Sequence, residues 1–249
     1  MLSRNIKMTI MYDGSGYSGW QRLGKKAVKE SIQGCIEESL SSILNEKVKI
    51  IGASRTDQGV HAYGMAANFH TKTMIDLEEI KKELNGNLKD DIRILKIEEV
   101  NNNFHSRYSA RCKTYIYKID NRDKGSVFHR KYTHHHQGQL DIKNMQTAAN
   151  YLIGKHDFKG FSSQMNDNRT TIREIYSLTI SREGQNIIIT IKGNGFLYNM
   201  VRIISGTLIE VGEGKMKPKE IRKILDTKDR SLAGPKAEFQ GLTLKEIEY

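Results

Sequence analysis

Apolar and polar residues change their spacing several times along this chain, and each change marks an element. Lys7 to Tyr12 reads as a strand. From Ser31, apolar residues at Ile32, Ile36, Leu40 and Leu44 recur every fourth position, with Glu37, Glu38 and Asn45 elsewhere around the turn, which predicts an amphipathic helix. Apolar runs at Val48 to Ile51 and Met65 to Phe69 predict two strands. A second helix follows over Leu77 to Leu84, and Ile92 to Val100 alternates as a strand.

Asn101-Asn102-Asn103 is the natural seam. Beyond it come a long strand from Tyr108 to Ile119, a helix around Met145 to Ile153, and strands at Glu174 to Ser181 and Ile187 to Lys192. A helix from Phe196 to Val211, a short one from Lys219 to Leu225 and a last strand, Leu242 to Tyr249, complete the chain. The expected fold class is α+β: two ferredoxin-like (split βαβ) halves, 1–103 and 104–249, each ordered β-α-β-β-α-β. No residue-level repeat relates them, and a cleft between the halves is the expected place for a substrate.

Charge narrows the partner. Lys and Arg outnumber Asp and Glu by 40 to 29, giving a formal +11 and a pI near 9.5. Such an excess suits a polyanion, because each phosphate contact releases counterions. Two cysteines, Cys35 and Cys112, cannot build a disulfide framework and point to a reducing, cytoplasmic setting. No run is long enough to span a bilayer, and the first residues lack the apolar stretch of a signal peptide.

The chemistry concentrates in Ser54-Arg55-Thr56-Asp57-Gln58-Gly59-Val60-His61-Ala62, a loop expected between two strands. An ionised Asp57 near Arg55 is a poised nucleophile, since the cation favours the charged form. An Asp that merely caps its own turn gives the same pattern. Upstream, Gly14-x-Gly16-x-x-Gly19 formally matches a dinucleotide fingerprint, which requires the glycines to open directly into a helix. Here the chain runs on through Arg22, Lys25, Lys26 and Lys29 to a helix start at Ser31, so no nucleotide cofactor is expected; the stretch reads as a flexible basic loop carrying two aromatics.

Further along, alternation over residues 111–118 puts Arg111, Lys113, Tyr115 and Tyr117 on one strand face, which suits base stacking and phosphate tracking but equally a solvated edge strand. On the helix from Phe196, the residues Tyr198, Asn199, Arg202, Ser205 and Gly206 fall on one side. His134-His135-His136 point alternately along an extended chain and lack accompanying Cys or carboxylate ligands, so no metal site is expected.

Several of these stretches resemble the TruA family of tRNA pseudouridine synthases. They are Tyr12 to Gln21, Ser31-Ile32-Gln33-Gly34, the Asp57 loop, Phe104-His105-x-Arg107-x-Ser109-Ala110, the strand bearing Tyr115, Phe196-x-x-x-Met200-Val201-Arg202, and Gly241-Leu242-x-Leu244 with Tyr249. The resemblance implies isomerisation of uridine at positions 38 to 40 of the tRNA anticodon stem-loop by a homodimer, with no cofactor and no metal. Asp57 is then the catalytic group, acting at the ribose C1′ or on the C2′ proton. Tyr115 packs against the target uracil and assists proton removal from C5, Arg55 holds the flipped state, and Arg202 pairs with Asp57. The chain departs from the family pattern at Ser54, Gln58, Lys89 and Glu238, which leaves open a paralogue acting on another RNA. A non-catalytic RNA-binding protein is the competing class, and a metal-dependent RNA hydrolase lacks its ligand set.

Overall fold

The computed structural model describes residues 3–22, 29–163 and 170–249. They form two compact units, one of Met1–Arg111 with Leu244–Tyr249 and one of Cys112–Thr243.

In the first unit, β1 (Arg4–Tyr12), α1 (Ile32–Leu44), β2 (Ile51–Gly52), β3 (His61–Thr71), α2 (Leu77–Asn87) and β4 (Ile92–Val100) follow in the predicted β-α-β-β-α-β order. β1 lies between β4 and β3, antiparallel to both, and β2 pairs antiparallel with β3. Ile6, Met8 and Ile10 alternate into the core, where Ile36 and Leu40 of α1 and Ile80 and Leu84 of α2 are equally inaccessible. Each such side chain contributes roughly 1.5–3 kcal/mol on leaving water.

α1 starts where its cap dictates. The Ser31 side chain accepts the Gly34 N–H at 3.1 Å, and Asn45 closes the helix in the left-handed region at φ 49°. Glu37, off the apolar stripe, is nevertheless buried. Its Oε1 accepts from Gln33 Nε2 at 2.9 Å and from Ile50 N–H at 3.0 Å, tying the helix to the chain that leads into β2.

The second unit contains β5 (Cys112–Asp120), β6 (His134–His135), α3 (Ile142–Asn150), β7 (Gly154–Asp157), β8 (Ile172–Glu183), β9 (Asn186–Gly193), α4 (Met200–Gly212) and α5 (Glu220–Thr227). β9 runs antiparallel between β5 and β8, β7 flanks β8, and β6 lies parallel to the end of β5. β5 begins four residues later than expected, because Tyr108 belongs to a loop closed by the Ser109 N–H bond to the His105 carbonyl.

α4 also begins four residues late. Asn199 sits in the left-handed region at φ 60°, and a Met200 N–H bond to the Leu197 carbonyl makes a turn of the residues assigned to the first helical turn. Inside α4, Gly206 is required by a close approach: a Cβ there would lie 1.8 Å from the Pro235 carbonyl oxygen. The closing strand, β10 (Leu242–Glu248), brings Leu244–Tyr249 beside β3 in the first unit.

Candidate active site

The loop between β2 and β3 is closed at its base by the Ala53 N–H bond to the Ala66 carbonyl, 2.8 Å. Gly59 takes φ 76°, and the Val60 N–H donates to the Asp57 carbonyl at 3.2 Å, so residues 57–60 make a tight turn that a side chain at 59 would strain. Arg55 and Gln58 are exposed, Ser54 and Asp57 are half-buried, and Thr56 and Val60 are buried. One loop therefore presents a carboxylate and a guanidinium two residues apart, with Thr56 and Val60 turned inward as anchors.

The anchors meet the segment after β1. Tyr12 Oη and Thr56 Oγ1 are 2.8 Å apart, and the Trp20 N–H donates to the Thr56 carbonyl at 3.0 Å. The Gly14 N–H donates to His61 Nδ1 at 3.2 Å, and the same nitrogen lies 3.1 Å from Asp13 Oδ1. Two of the three glycines in the fingerprint-like stretch serve this contact. A Cβ on Gly14 would lie 2.1 Å from the Val60 carbonyl oxygen, and one on Gly19, at φ 108°, 2.6 Å from that of Thr56; Gly16 has nothing within 4 Å. The glycine spacing thus reflects packing against the Asp57 loop.

The aromatics of this segment are not displayed at the surface, as a flexible loop would have them. Tyr17 and Trp20 are each 2% exposed, the Trp20 indole packs over Gly52, and Tyr17 Oη bonds to Asp91. Burial and the Asp91 carboxylate both push the Tyr17 phenol upward, keeping it neutral. Among the basic residues of that stretch, Arg22 pairs with Glu38 at 2.8 Å, Lys29 is exposed, and Lys25 and Lys26 lie outside the described residues.

Tyr115 and Arg202 belong to the second unit, on β5 and α4. Tyr115 is 6% exposed, opposite Ile191 in the β5–β9 register, and meets Phe196 edge to face with ring centres 5.4 Å apart. Tyr117 is wholly inaccessible, and its hydroxyl donates to the Glu238 carbonyl at 2.9 Å. On the face of β5 expected to carry stacked bases, Tyr117 is therefore enclosed by protein, while Tyr115 keeps a small exposed part, Lys113 is half-buried and Arg111 is exposed. Burial raises the Tyr117 phenol well above its ordinary range, a rise that the charge of Arg202 opposes.

Arg202 itself is 8% exposed. Its Nε donates to the Ala237 carbonyl at 2.8 Å, while its own carbonyl accepts the Ala237 N–H at 3.1 Å. This double tie to residue 237 fixes a guanidinium inside the unit, where a solvated arginine on a polar helix stripe is the simpler sequence reading. Sequence reasoning also passed over the roles of Tyr12, Trp20 and the Asp13–His61 pair; the glycines at 14 and 19, dismissed as a false fingerprint, were the available signal.

The three histidines diverge. His134 stacks obliquely on Tyr117 with centres 6.1 Å apart, His135 Nε2 lies 3.0 Å from the Arg122 carbonyl, and His136 Nε2 is 3.8 Å from Glu213. Among the described residues no group of three His, Cys, Asp or Glu side chains could hold a metal ion.

The family model for tRNA pseudouridine synthase matches residues 8–109 and 148–249, so both halves of the chain fall within that class of enzyme. The tRNA pseudouridine synthase A 2 of Clostridium tetani is 46% identical over 248 residues, 100% of each chain. The tRNA pseudouridine synthase A of Caldicellulosiruptor bescii is 45% identical over 246 residues, 99% of this chain and 100% of the relative. Among solved structures, a Cbf5-Nop10-Gar1 complex overlaps 96% of this chain and 57% of its own at a TM-score of 0.38 and 10% identity, too slight a likeness to carry an argument. The chain belongs to the tRNA pseudouridine synthase A (TruA) family.

Proposed function

We propose that this chain isomerises uridine to pseudouridine at positions 38 to 40 of the tRNA anticodon stem-loop, with Asp57 as its catalytic group. The observation that carries the reading is the Asp57 loop. Its carboxylate follows directly on Thr56, which is held at both its hydroxyl and its carbonyl, and it shares the loop with the exposed Arg55. A catalytic group needs such fixed backbone support.

A uracil stacked in a stem is out of reach, so the nucleotide leaves the stack at a cost of roughly a few kcal/mol. Arg55, exposed beside Asp57, holds the flipped state by filling the vacated space or gripping a phosphate. Asp57 then attacks the ribose C1′, forming an ester that is displaced when C5 bonds there, or removes the C2′ proton to give a glycal and returns that proton to C2′ as C5 bonds to C1′. In either route the C1′–N1 bond breaks, the uracil turns, C5 bonds to C1′, and the C5 proton leaves as N1 gains one. Tyr115 packs against the uracil and assists that last proton transfer, and Arg202 keeps Asp57 ionised. The reading takes residues 1–103 as the half carrying the Asp57 loop and 104–249 as the half carrying the Tyr115 strand and the Arg202 helix.

By resemblance the enzyme works as a cytoplasmic homodimer with the RNA lying across both subunits, and it uses neither metal nor cofactor. Two cysteines, Cys35 and Cys112, are too few for a disulfide framework, which suits a reducing setting. No helix among the described residues is long and apolar enough to cross a membrane.

The test is tritium release from tRNA transcripts carrying 5-tritiated uridine, in EDTA without added cofactor, by wild type and Asp57→Asn. Release by the wild type that the substitution abolishes supports the reading. Equal release by both removes Asp57 from the chemistry, and bound tRNA with no release from any transcript favours a non-catalytic RNA-binding protein.

A further inference from the structure

Tyr108 is 79% exposed, yet the loop that carries it is firmly tied. Two fully buried asparagines hold that loop. Asn5 Nδ2 donates to the carbonyls of Asn101 and Phe104 at 3.0 and 2.9 Å, Asn68 Nδ2 donates to Asn5 Oδ1 at 2.9 Å, and Asn68 Oδ1 accepts the Ser106 N–H at 2.9 Å. Tyr249 Oη adds a bond to the Ser106 carbonyl, 2.9 Å. Burying two amides is unfavourable unless they are hydrogen-bonded, and here their bonds run to each other and to the loop.

The loop also orders its own apex. His105 Nδ1 accepts the N–H groups of Arg107 and Tyr108 at 3.2 and 3.3 Å, which fixes the imidazole. The Tyr108 ring stacks on that imidazole, centres 4.3 Å apart and planes inclined by 30°, and the Arg107 guanidinium carbon lies 5.9 Å from the Tyr108 ring centre. Residues 101–111 contain Arg107, Arg111 and no carboxylate. The result is an aromatic ring backed on one face, open to solvent over most of its surface, and set among positive charge. Free surface aromatics ordinarily lose little by moving, whereas this one is held still.

We propose that Tyr108, backed by His105 and flanked by Arg107, is a stacking platform for an unpaired nucleotide of the RNA substrate, with Arg107 on the adjoining phosphate. A base has an apolar face and a phosphate a full negative charge, which are the two features this surface complements. The polar make-up of the loop, with three asparagines and two serines in residues 101–111, fits nucleic acid better than an apolar protein partner. The inference rests on RNA being the substrate, but not on Asp57 being its catalyst.

The experiment measures tRNA affinity by filter binding, the single-turnover rate of tritium release at saturating tRNA, and sedimentation mass, for full-length wild type, Tyr108→Phe and Tyr108→Ala. Tyr108→Phe should bind like wild type. Tyr108→Ala should bind about 5- to 160-fold more weakly, the range of a lost base–aromatic stack, with its saturated rate kept. An alanine variant that binds as wild type does overturns the platform, and if its mass has also fallen the ring belongs to a self-association surface. Equal weakening by phenylalanine and alanine overturns stacking in favour of a hydroxyl contact. Weaker binding by Tyr108→Ala alongside a wild type that releases no tritium leaves the platform standing and refutes the isomerase reading instead.

Discussion

Tyr12→Phe, Thr56→Val and the double variant test whether the loop bearing Asp57 is held from below by one buried hydrogen bond. The hydroxyls are 2.8 Å apart, with Tyr12 3% and Thr56 7% exposed. Removing one hydroxyl loses a net bond of about 0.5–1.5 kcal/mol and leaves the other oxygen buried, a loss of about 1–3 kcal/mol in total. Removing both leaves two apolar groups of similar shape in contact and no stranded oxygen, so the double variant should lose no more stability than either single one, and as little as nothing. The coupling is expected at about 1 kcal/mol or more.

Urea unfolding followed by Trp20 fluorescence suits this cycle. Trp20 is the only tryptophan in the chain and its ring centre lies 6.1 Å from that of Tyr12. The chemistry should respond too. A displacement of about 1 Å can cost a reaction about a hundredfold, but the Trp20 N–H still tethers the Thr56 carbonyl, so a fall of about tenfold in single-turnover tritium release is expected for each single variant. Stability losses that simply add in the double variant, or a Tyr12→Phe enzyme with wild-type rate and stability, would refute the reasoning.

Arg202→Ala should slow single-turnover release at saturating tRNA far more than it weakens tRNA binding. Arg202→Lys, which keeps the charge but loses the Nε bond to Ala237, should recover part of the rate; weakened binding with an unchanged saturated rate would contradict the assignment. A second prediction concerns pH. Burial lowers the affinity of His134 and His136 for protons, with His136 adding to the effect on His134 and Glu213 opposing it on His136. Below the ordinary value of 6.5 the unfolded chain therefore binds protons that the folded one refuses, so the stability present above it is lost as pH falls through the folded pKa values. The urea midpoint should drop between about pH 7 and pH 5, and His134→Gln should flatten that drop, as a titration of midpoints would reveal.

Local signals carried much of this fold. Ser31 marks its helix because a side-chain oxygen and a free N–H three residues on meet within one turn, and that same cap separated the glycine stretch from a nucleotide site. In the first unit, β4 followed from period-two alternation, while the apolar runs at Val48 to Ile51 and Met65 to Phe69 marked β2 and β3 without their bounds, Ile51–Gly52 and His61–Thr71. What remained hidden depends on partners distant in sequence. Nothing near Tyr117 announces that its hydroxyl bonds to a carbonyl 121 residues away, so a core phenol looked like part of a stacking face. For Arg202 the spacing showed only which side of its helix it shares with Tyr198, Asn199, Ser205 and Gly206, because its tie to Ala237 lies 35 positions on. The late start of α4 turns on Asn199 adopting a left-handed conformation, which asparagine tolerates without demanding. At the candidate site the Asp57 loop was legible and its support was not.

The close approach of Gly14 to Val60 and of Gly19 to Thr56 has a practical corollary for anyone reusing this chemistry. The nine residues from Ser54 to Ala62 are not a portable cassette. Their shape is moulded by a segment about forty residues upstream that has no side chains at the two points of contact. Grafted alone onto another pair of strands, the loop would keep its reactive groups and lose its mould. A transplant must carry Tyr12 to Trp20 with it, as the two halves of a lock are moved together.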